Sequence, residues 1–342
     1  MPFWTHKRQS AQSGELLDAT DLLAAPEPSE TGSDDSAFGG SEDVWADADH
    51  VGIDLRLGVD DEADADDILA EARELITGSE RVLIGAGSGL STAAGLTYSG
   101  ERFTRNFGPW IDKYGISDLY SSSFYPYPTD EERWAYWAKH VDLSRYEPPA
   151  MPLYRQLLDG VHDKDYFVLT TNVDAQFAKA GFDPFQIFAT QGDYGFMQCM
   201  RGCHQRVYPL DDLVPRMLER TVDCAIPSDL VPHCPVCGGQ MMVHLRCDQY
   251  FVQDEAWYEA QRRYNRFIQR LQERPDVPTV LLELGVGWNT PSIIRFPFEA
   301  IAAMFDIPLI RINYDDARID AADVSQGFEI QDDIAAVLSK LL

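Results

Sequence analysis

Residues 81–96 read RVLIGAGSGLSTAAGL. The apolar run Val82-Leu83-Ile84 passes straight into a turn carrying Gly85, Gly87 and Gly89, and then into a stretch closed by Gly95. A short apolar run bounded by glycine reads as a buried strand, and a strand turning through glycine into a helix opens a βα unit. Glycine lets the backbone approach a phosphate closely. The next helix, expected to begin near Ser91, would point its positive end at a pyrophosphate. The spacing does not meet G-x-G-x-x-G cleanly, and no acidic residue clearly follows the second strand, so a standard dehydrogenase fits poorly.

Working outward, Ile68, Leu69, Ala72, Leu75 and Ile76 have helical spacing, and Gly78 can end that helix. Downstream, DYFVLTTNVD, PTVLLELGVG and IPLIRINYDD are further short β-rich runs. Helical patterns fall between them, around 152–158 and 297–304. This alternation predicts an α/β fold with a doubly wound parallel sheet covered on both faces. In such sheets ligands sit beyond the carboxyl ends of the strands. The boundaries read as a core over about 67–196 and 275–342, with a small module over about 197–274. A second insert, about 103–146, carries Trp110, Tyr114, Trp134, Tyr136 and Trp137. Such residues are more often core than ligand cage, and the second reading for them is a lid.

Within the module, Cys199 and Cys203 are followed by Cys234 and Cys237. Each pair brackets a short turn, the arrangement tetrahedral Zn2+ requires. Four thiolates fill the coordination shell, so the metal should be structural. Cys224 and Cys247 are left over as ordinary thiols, and His204 and His233 flank the quartet.

Composition narrows the partners. The 342 residues carry a formal net charge of −28. That argues against nucleic acid and anionic membrane surfaces, which are themselves polyanions. Roughly half of this charge falls in residues 1–67; residues 1–66 read as a disordered acidic tail with too little apolar surface to order itself. No apolar run reaches membrane-span length and the N-terminus lacks the apolar core of a secretory signal, so the expected location is cytoplasmic.

Together these pieces resemble the sirtuin family. GSGLSTAAG looks like its NAD+ loop, TTNVD like its Asn-Asp segment, the four cysteines like its zinc ribbon and ELGVGWN like its later cofactor loop. The resemblance implies a Rossmann-like sheet with an inserted zinc-ribbon module over 67–342. It implies NAD+ as co-substrate, contacted by Ala86, Gly87, Ser88, Gly89, Tyr98, Asn172, Asp174, Gln191, Gly285, Val286, Gly287 and Asn313. Three departures stand out. The Pro-Asp-Phe-Arg stretch is replaced by Thr97-Tyr98-Ser99-Gly100-Glu101-Arg102-Phe103, the Gln of the Asn-Asp segment is Thr171, and the catalytic His-Gly is Gln191-Gly192. All three look like the macrodomain-linked class M sirtuins, which act as protein ADP-ribosyltransferases. That likeness implies a lipoylated acceptor similar to the glycine-cleavage H protein, and a macrodomain hydrolase and lipoate ligase in the same pathway.

The substitution has a chemical meaning of its own. Histidine can accept a proton near neutrality, whereas an amide cannot titrate. Lysine deacylation needs a base to activate a ribose hydroxyl; breaking the nicotinamide–ribose bond does not. The expected catalytic residues are Asn172, Gln191 and Arg246, with Arg246 steering an acidic acceptor or serving as a structural ion-pair partner. Open beside this stand a deacylase using His204 or His140, an NAD+ sensor without catalysis, and plain NAD+ hydrolysis.

Overall fold

The computed structural model describes residues 62–342, so the acidic tail lies outside the described residues except for its last five, which open the first helix. In chain order the main elements are α1 (Glu62–Gly78), β1 (Arg81–Ala86), α2 (Ser88–Ala93), α3 (Gly100–Tyr114), α4 (Asp130–Val141), α5 (Pro152–Val161), β2 (Asp165–Thr170), β3 (Ile187–Ala189), β4 (Gly192–Cys199), β5 (Tyr208–Pro209), β6 (Met241–Leu245), α6 (Glu255–Glu273), β7 (Thr279–Leu284), α7 (Arg295–Phe305), β8 (Leu309–Asn313), β9 (Gly327–Gln331) and α8 (Ile334–Leu341).

Six strands form one sheet in the order β3-β2-β1-β7-β8-β9, every pair parallel. Strand side chains alternate between faces, and β1 shows the result. Val82 and Ile84 join α1, α5 and α8 on one side, while Leu83 joins α6 and α7 on the other. Burying each such side chain is worth about 1.5–3 kcal/mol. The chain leaves β1 toward β2 on one side and later places β7 on the other. The loops after β1 and β7 therefore meet at the carboxyl edge where the winding reverses, the usual ligand position in open α/β sheets.

The smaller unit has a three-stranded antiparallel sheet, β5-β4-β6. Its core joins two stretches of chain. Phe103, Phe107, Trp110, Trp134, Tyr136 and Trp137 from the aromatic insert pack with Leu210, Val214, Met217, Met241 and Val243 of the cysteine module. These aromatics are therefore core.

The structure divides the chain differently from the sequence boundaries at one helix. α6, placed by composition in the small module, packs on the large sheet through Ala260, Tyr264, Phe267, Ile268 and Leu271. These positions make one stripe on a helix otherwise crowded with charge. The small sheet also begins at Gly192, immediately after Gln191.

Candidate active site

The phosphate loop is built by backbone contact. Gly87 N–H donates to the Leu284 carbonyl and Gly89 N–H to the Gly285 carbonyl, both at 3.0 Å. A Cβ on Gly285 would meet Leu90 N at 2.4 Å, and the Gly285 φ of 60° favours glycine in any case. These glycines thus let the β1 and β7 loops touch, and two amides expected to face phosphate are already paired. α2 begins at Ser88, earlier than the sequence suggested, and spans only six residues. Ser88 is exposed and Gly287 has open space around its α-carbon. Ala86 is buried, and its carbonyl takes the Thr171 N–H.

At the nicotinamide-ribose position expected from the sequence, Asn172 follows β2. Its Nδ2 donates to the Gly87 carbonyl at 2.9 Å, with Ser91 Oγ at 3.1 Å and Tyr154 Oη at 3.2 Å. Asp174 is buried; its Oδ2 accepts from Ser91 Oγ at 2.5 Å and its Oδ1 from Gln176 N–H at 3.0 Å. Burial raises its carboxyl above the usual range, and the Ser91 bond opposes this. Tyr98 is half-buried nearby; burial and then the Asp174 charge push its phenol up to about 12. Ser91 and Tyr154 were missing from the expected site. Ser91 belongs to the quoted loop, whereas Tyr154 has only the spacing of a core helix residue.

At the position expected from the sequence to meet the adenosine ribose, Asn313 Nδ2 donates to the carbonyls of Val286 at 3.2 Å and Asp316 at 3.0 Å. Both asparagines therefore turn their nitrogens toward protein acceptors, which fixes the amide orientation. Neither carbonyl oxygen has a partner among the described residues. Ribose hydroxyls are donors, so two free acceptor oxygens, one beside each glycine loop, suit a dinucleotide.

Buried charge holds the adenosine-side loops. Arg311 bridges Glu283 at 2.8 Å and Glu299 at 2.7 Å. Arg295 donates to the carbonyls of Val286, Asp316 and Arg318, and its guanidinium lies 4.4 Å from the Trp288 ring. Burial pushes the Glu283 carboxyl up and the Arg311 charge opposes it.

Gln191 lies between the two sheets. Thr190 N–H donates to Thr170 O, Tyr194 N–H to Val173 O and Arg246 N–H to Gln191 O, so this segment runs beside Asn172. Gln191 is 9% exposed, and its side-chain amide bonds to none of the described residues. It lines a cleft of about 570 Å³ together with Arg246, Cys247, Gln253, Trp257 and Thr290. Arg246 is exposed, lies over the Phe251 ring at 5.5 Å and pairs with no carboxylate of the described residues. The structure thus brings Gln191 and Arg246 to one cleft.

The histidines take other places. His140 is fully buried, stacked on Trp137, with Nδ1 3.0 Å from Tyr136 Oη, and burial lowers its pKa to about 3. His204 lies among the cysteines, with Nδ1 3.1 Å from Cys203 Sγ.

The sulfurs of Cys199, Cys203, Cys234 and Cys237 all lie within 4.8 Å of one another, with close pairs at 3.7 and 3.6 Å. Tetrahedral zinc with 2.3 Å bonds spaces sulfurs by about 3.8 Å, so the quartet fits structural Zn2+. Gly238, at φ 68°, donates to the Cys234 carbonyl and closes the second knuckle.

A parallel sheet reversing between β1 and β7 and a four-thiolate module are the fold and metal site that the resemblance to sirtuins implies. No family model matches the chain. It is 32% identical over 272 residues to a protein ADP-ribosyltransferase of Staphylococcus aureus (strain Mu50), covering 79% of this chain and 85% of that one. It is 33% identical over 289 residues to a probable bifunctional ADP-ribose hydrolase/ADP-ribosyltransferase of Fusarium oxysporum f. sp. cubense, covering 80% of this chain and spanning 47% of that one. This chain belongs to the protein ADP-ribosyltransferase family. Among solved structures, a Sir2 enzyme aligns at TM-score 0.47 with 15% identity over 81% of this chain and 98% of that one. A Sir2 bound to acetylated peptide aligns at 0.45 with 17% identity over 80% and 96%.

Proposed function

We propose that this chain releases nicotinamide from NAD+ and transfers the ADP-ribose to a carboxylate on a protein acceptor, a lipoylated carrier of the glycine-cleavage H type. One observation carries the reading. A non-titrating amide, Gln191, occupies the cleft where deacylation would need a base, and among the described residues no histidine lines that cleft. His140 is sealed in aromatic core and His204 is held at the zinc quartet. Losing a general base typically costs about 10²–10⁴ in rate.

The remaining chemistry needs no base. The bond from ribose C1′ to the nicotinamide nitrogen breaks, nicotinamide leaves neutral, and an acceptor carboxylate oxygen bonds to C1′. A carboxylate is already ionised at neutral pH. Asn172 holds a ribose hydroxyl through its free oxygen, Gln191 orients the ribose from the cleft side, and Asp174 anchors the nicotinamide end. A buried carboxylate near a carbon that gains positive charge also favours the transition state. Arg246, an exposed cation of the cleft without a carboxylate partner among the described residues, draws the acidic acceptor to a chain whose overall charge would repel it.

Support for the acceptor comes from the class M motifs and from the cleft beside Gln191. The test is mass spectrometry of a lipoylated H-like carrier after incubation with NAD+ and the full chain. One added ADP-ribose, lost in Gln191→Ala, is expected. Free ADP-ribose without labelled protein would mean hydrolysis, and bound NAD+ with no nicotinamide released would mean a sensor. O-acyl-ADP-ribose formed from an acyl-lysine peptide would overturn the transferase reading.

A further inference from the structure

We infer that Tyr154 is a positioning residue for this reaction: its hydroxyl is the middle member of a one-way chain of hydrogen bonds that fixes the Asn172 amide with its oxygen toward the ribose. The inference rests on the transfer reading above and adds a residue outside the expected motifs.

The direction of the chain follows from counting donors. Asp174 accepts from Ser91 Oγ and from Gln176 N–H. An ionised carboxylate can only accept, so the one Ser91 proton is committed to it. The 2.8 Å bond between Ser91 Oγ and Tyr154 Oη must then use the Tyr154 proton. The Tyr154 oxygen is left as an acceptor, and Asn172 Nδ2 faces it at 3.2 Å, sharing this proton between Tyr154 and Ser91 Oγ at 3.1 Å. The other Asn172 proton goes to the Gly87 carbonyl at 2.9 Å. Every neighbour of Nδ2 is thus an acceptor, and an amide flipped end for end would set its oxygen against the Gly87 carbonyl. Burial and the Asp174 charge hold the Tyr154 phenol well above its ordinary range, so it stays a donor. Linked bonds of this kind polarise one another in one direction.

Tyr154 is fully buried on α5, its ring edge-on to Phe177 at 4.9 Å. Tyr154→Phe therefore keeps the ring and its packing and removes only the hydroxyl. Nicotinamide release should fall by about tenfold in kcat, the scale of one oriented hydrogen bond, with KM for NAD+ nearly unchanged. Leu157→Val, on the same helix and outside the chain, is the control for helix destabilisation. If it lowers kcat equally, or if Tyr154→Phe leaves kcat intact, Tyr154 is only structural and the inference is overturned. A second readout needs no turnover. In full-length protein labelled with 15N-asparagine, the Asn172 side-chain protons, assigned by their loss in Asn172→Asp, should exchange slowly in the wild type and faster in Tyr154→Phe. Unchanged exchange would overturn the inference. A wild type that releases no nicotinamide, yet shows this difference in exchange, would refute the transfer reading and leave the role of Tyr154 standing.

Discussion

The two ends of the proposed cofactor site hold an asparagine in the same pose by opposite means. At the adenosine end, Asn313 is pinned by carbonyls of loops that are themselves held by Arg295 and by the Arg311–Glu283–Glu299 cluster, all buried. At the nicotinamide end, Asn172 is held by hydroxyls and a carbonyl, with one carboxylate at the far end. Buried ion pairs give rigid geometry at a large desolvation cost. Such a cluster would also place several charges beside a reacting carbon. Hydroxyls orient the amide without doing so, and Asp174 is the single charged member of this hydrogen-bonded set. On the proposed function, the charged end would serve binding and the hydroxyl end chemistry.

Three substitutions can break or sharpen this contrast. The largest effect should come from Arg311→Met, which strands Glu283 and Glu299 without their cation. Breaking such a buried pair costs about 3–5 kcal/mol, to be read from the urea midpoint, while nicotinamide release at saturating NAD+ stays close to wild type. A large loss of kcat would show that the two ends are not separable. Next, Asp174→Asn should do the converse, lowering kcat roughly 10–100-fold, the scale of a charged hydrogen bond. Its pH signature has a definite sign. Burial raises the folded-state pKa of Asp174, so the folded chain holds this proton more tightly than the unfolded chain. Stability from this group is therefore lost as pH rises from the unfolded value near 4 through the folded one. Asp174→Asn should remove that component from denaturation measured across this range; an unchanged pH slope would contradict it. The smallest effect belongs to Trp288→Leu. It removes an indole over Arg295 and its bond to Asp316 at 3.0 Å, worth about 1 kcal/mol, and a shift in melting temperature would measure it.

Much of the scaffold was legible because its signals are local. The strands ending at Ala86, Thr170, Leu284 and Asn313 are short β-rich runs closed by small or polar residues, the last two each carrying one buried charge, Glu283 and Arg311. The cysteine spacing points to a four-thiolate site without any knowledge of the fold. Reading failed where a role depends on residues far apart in the chain. Tyr154 and Ser91 are 63 positions apart, and nothing near Tyr154 separates it from a core tyrosine. The purpose of Gly87 and Gly89 was half visible. Glycine spacing shows that something must come close, but only the sheet order shows that it is the loop after β7. α6 was misplaced because charge obscured an apolar stripe that was present in the sequence.

Gln191 has one more property, set by where the chain crosses between the two sheets. β3 ends at Ala189 and β4 begins at Gly192, so Gln191 sits in the short splice joining them, and the returning strand is tied to its carbonyl by Arg246 N–H. A tilt of the small unit against the large one would apply torque at this splice. Any change in the angle between the two sheets would therefore re-aim the Gln191 backbone.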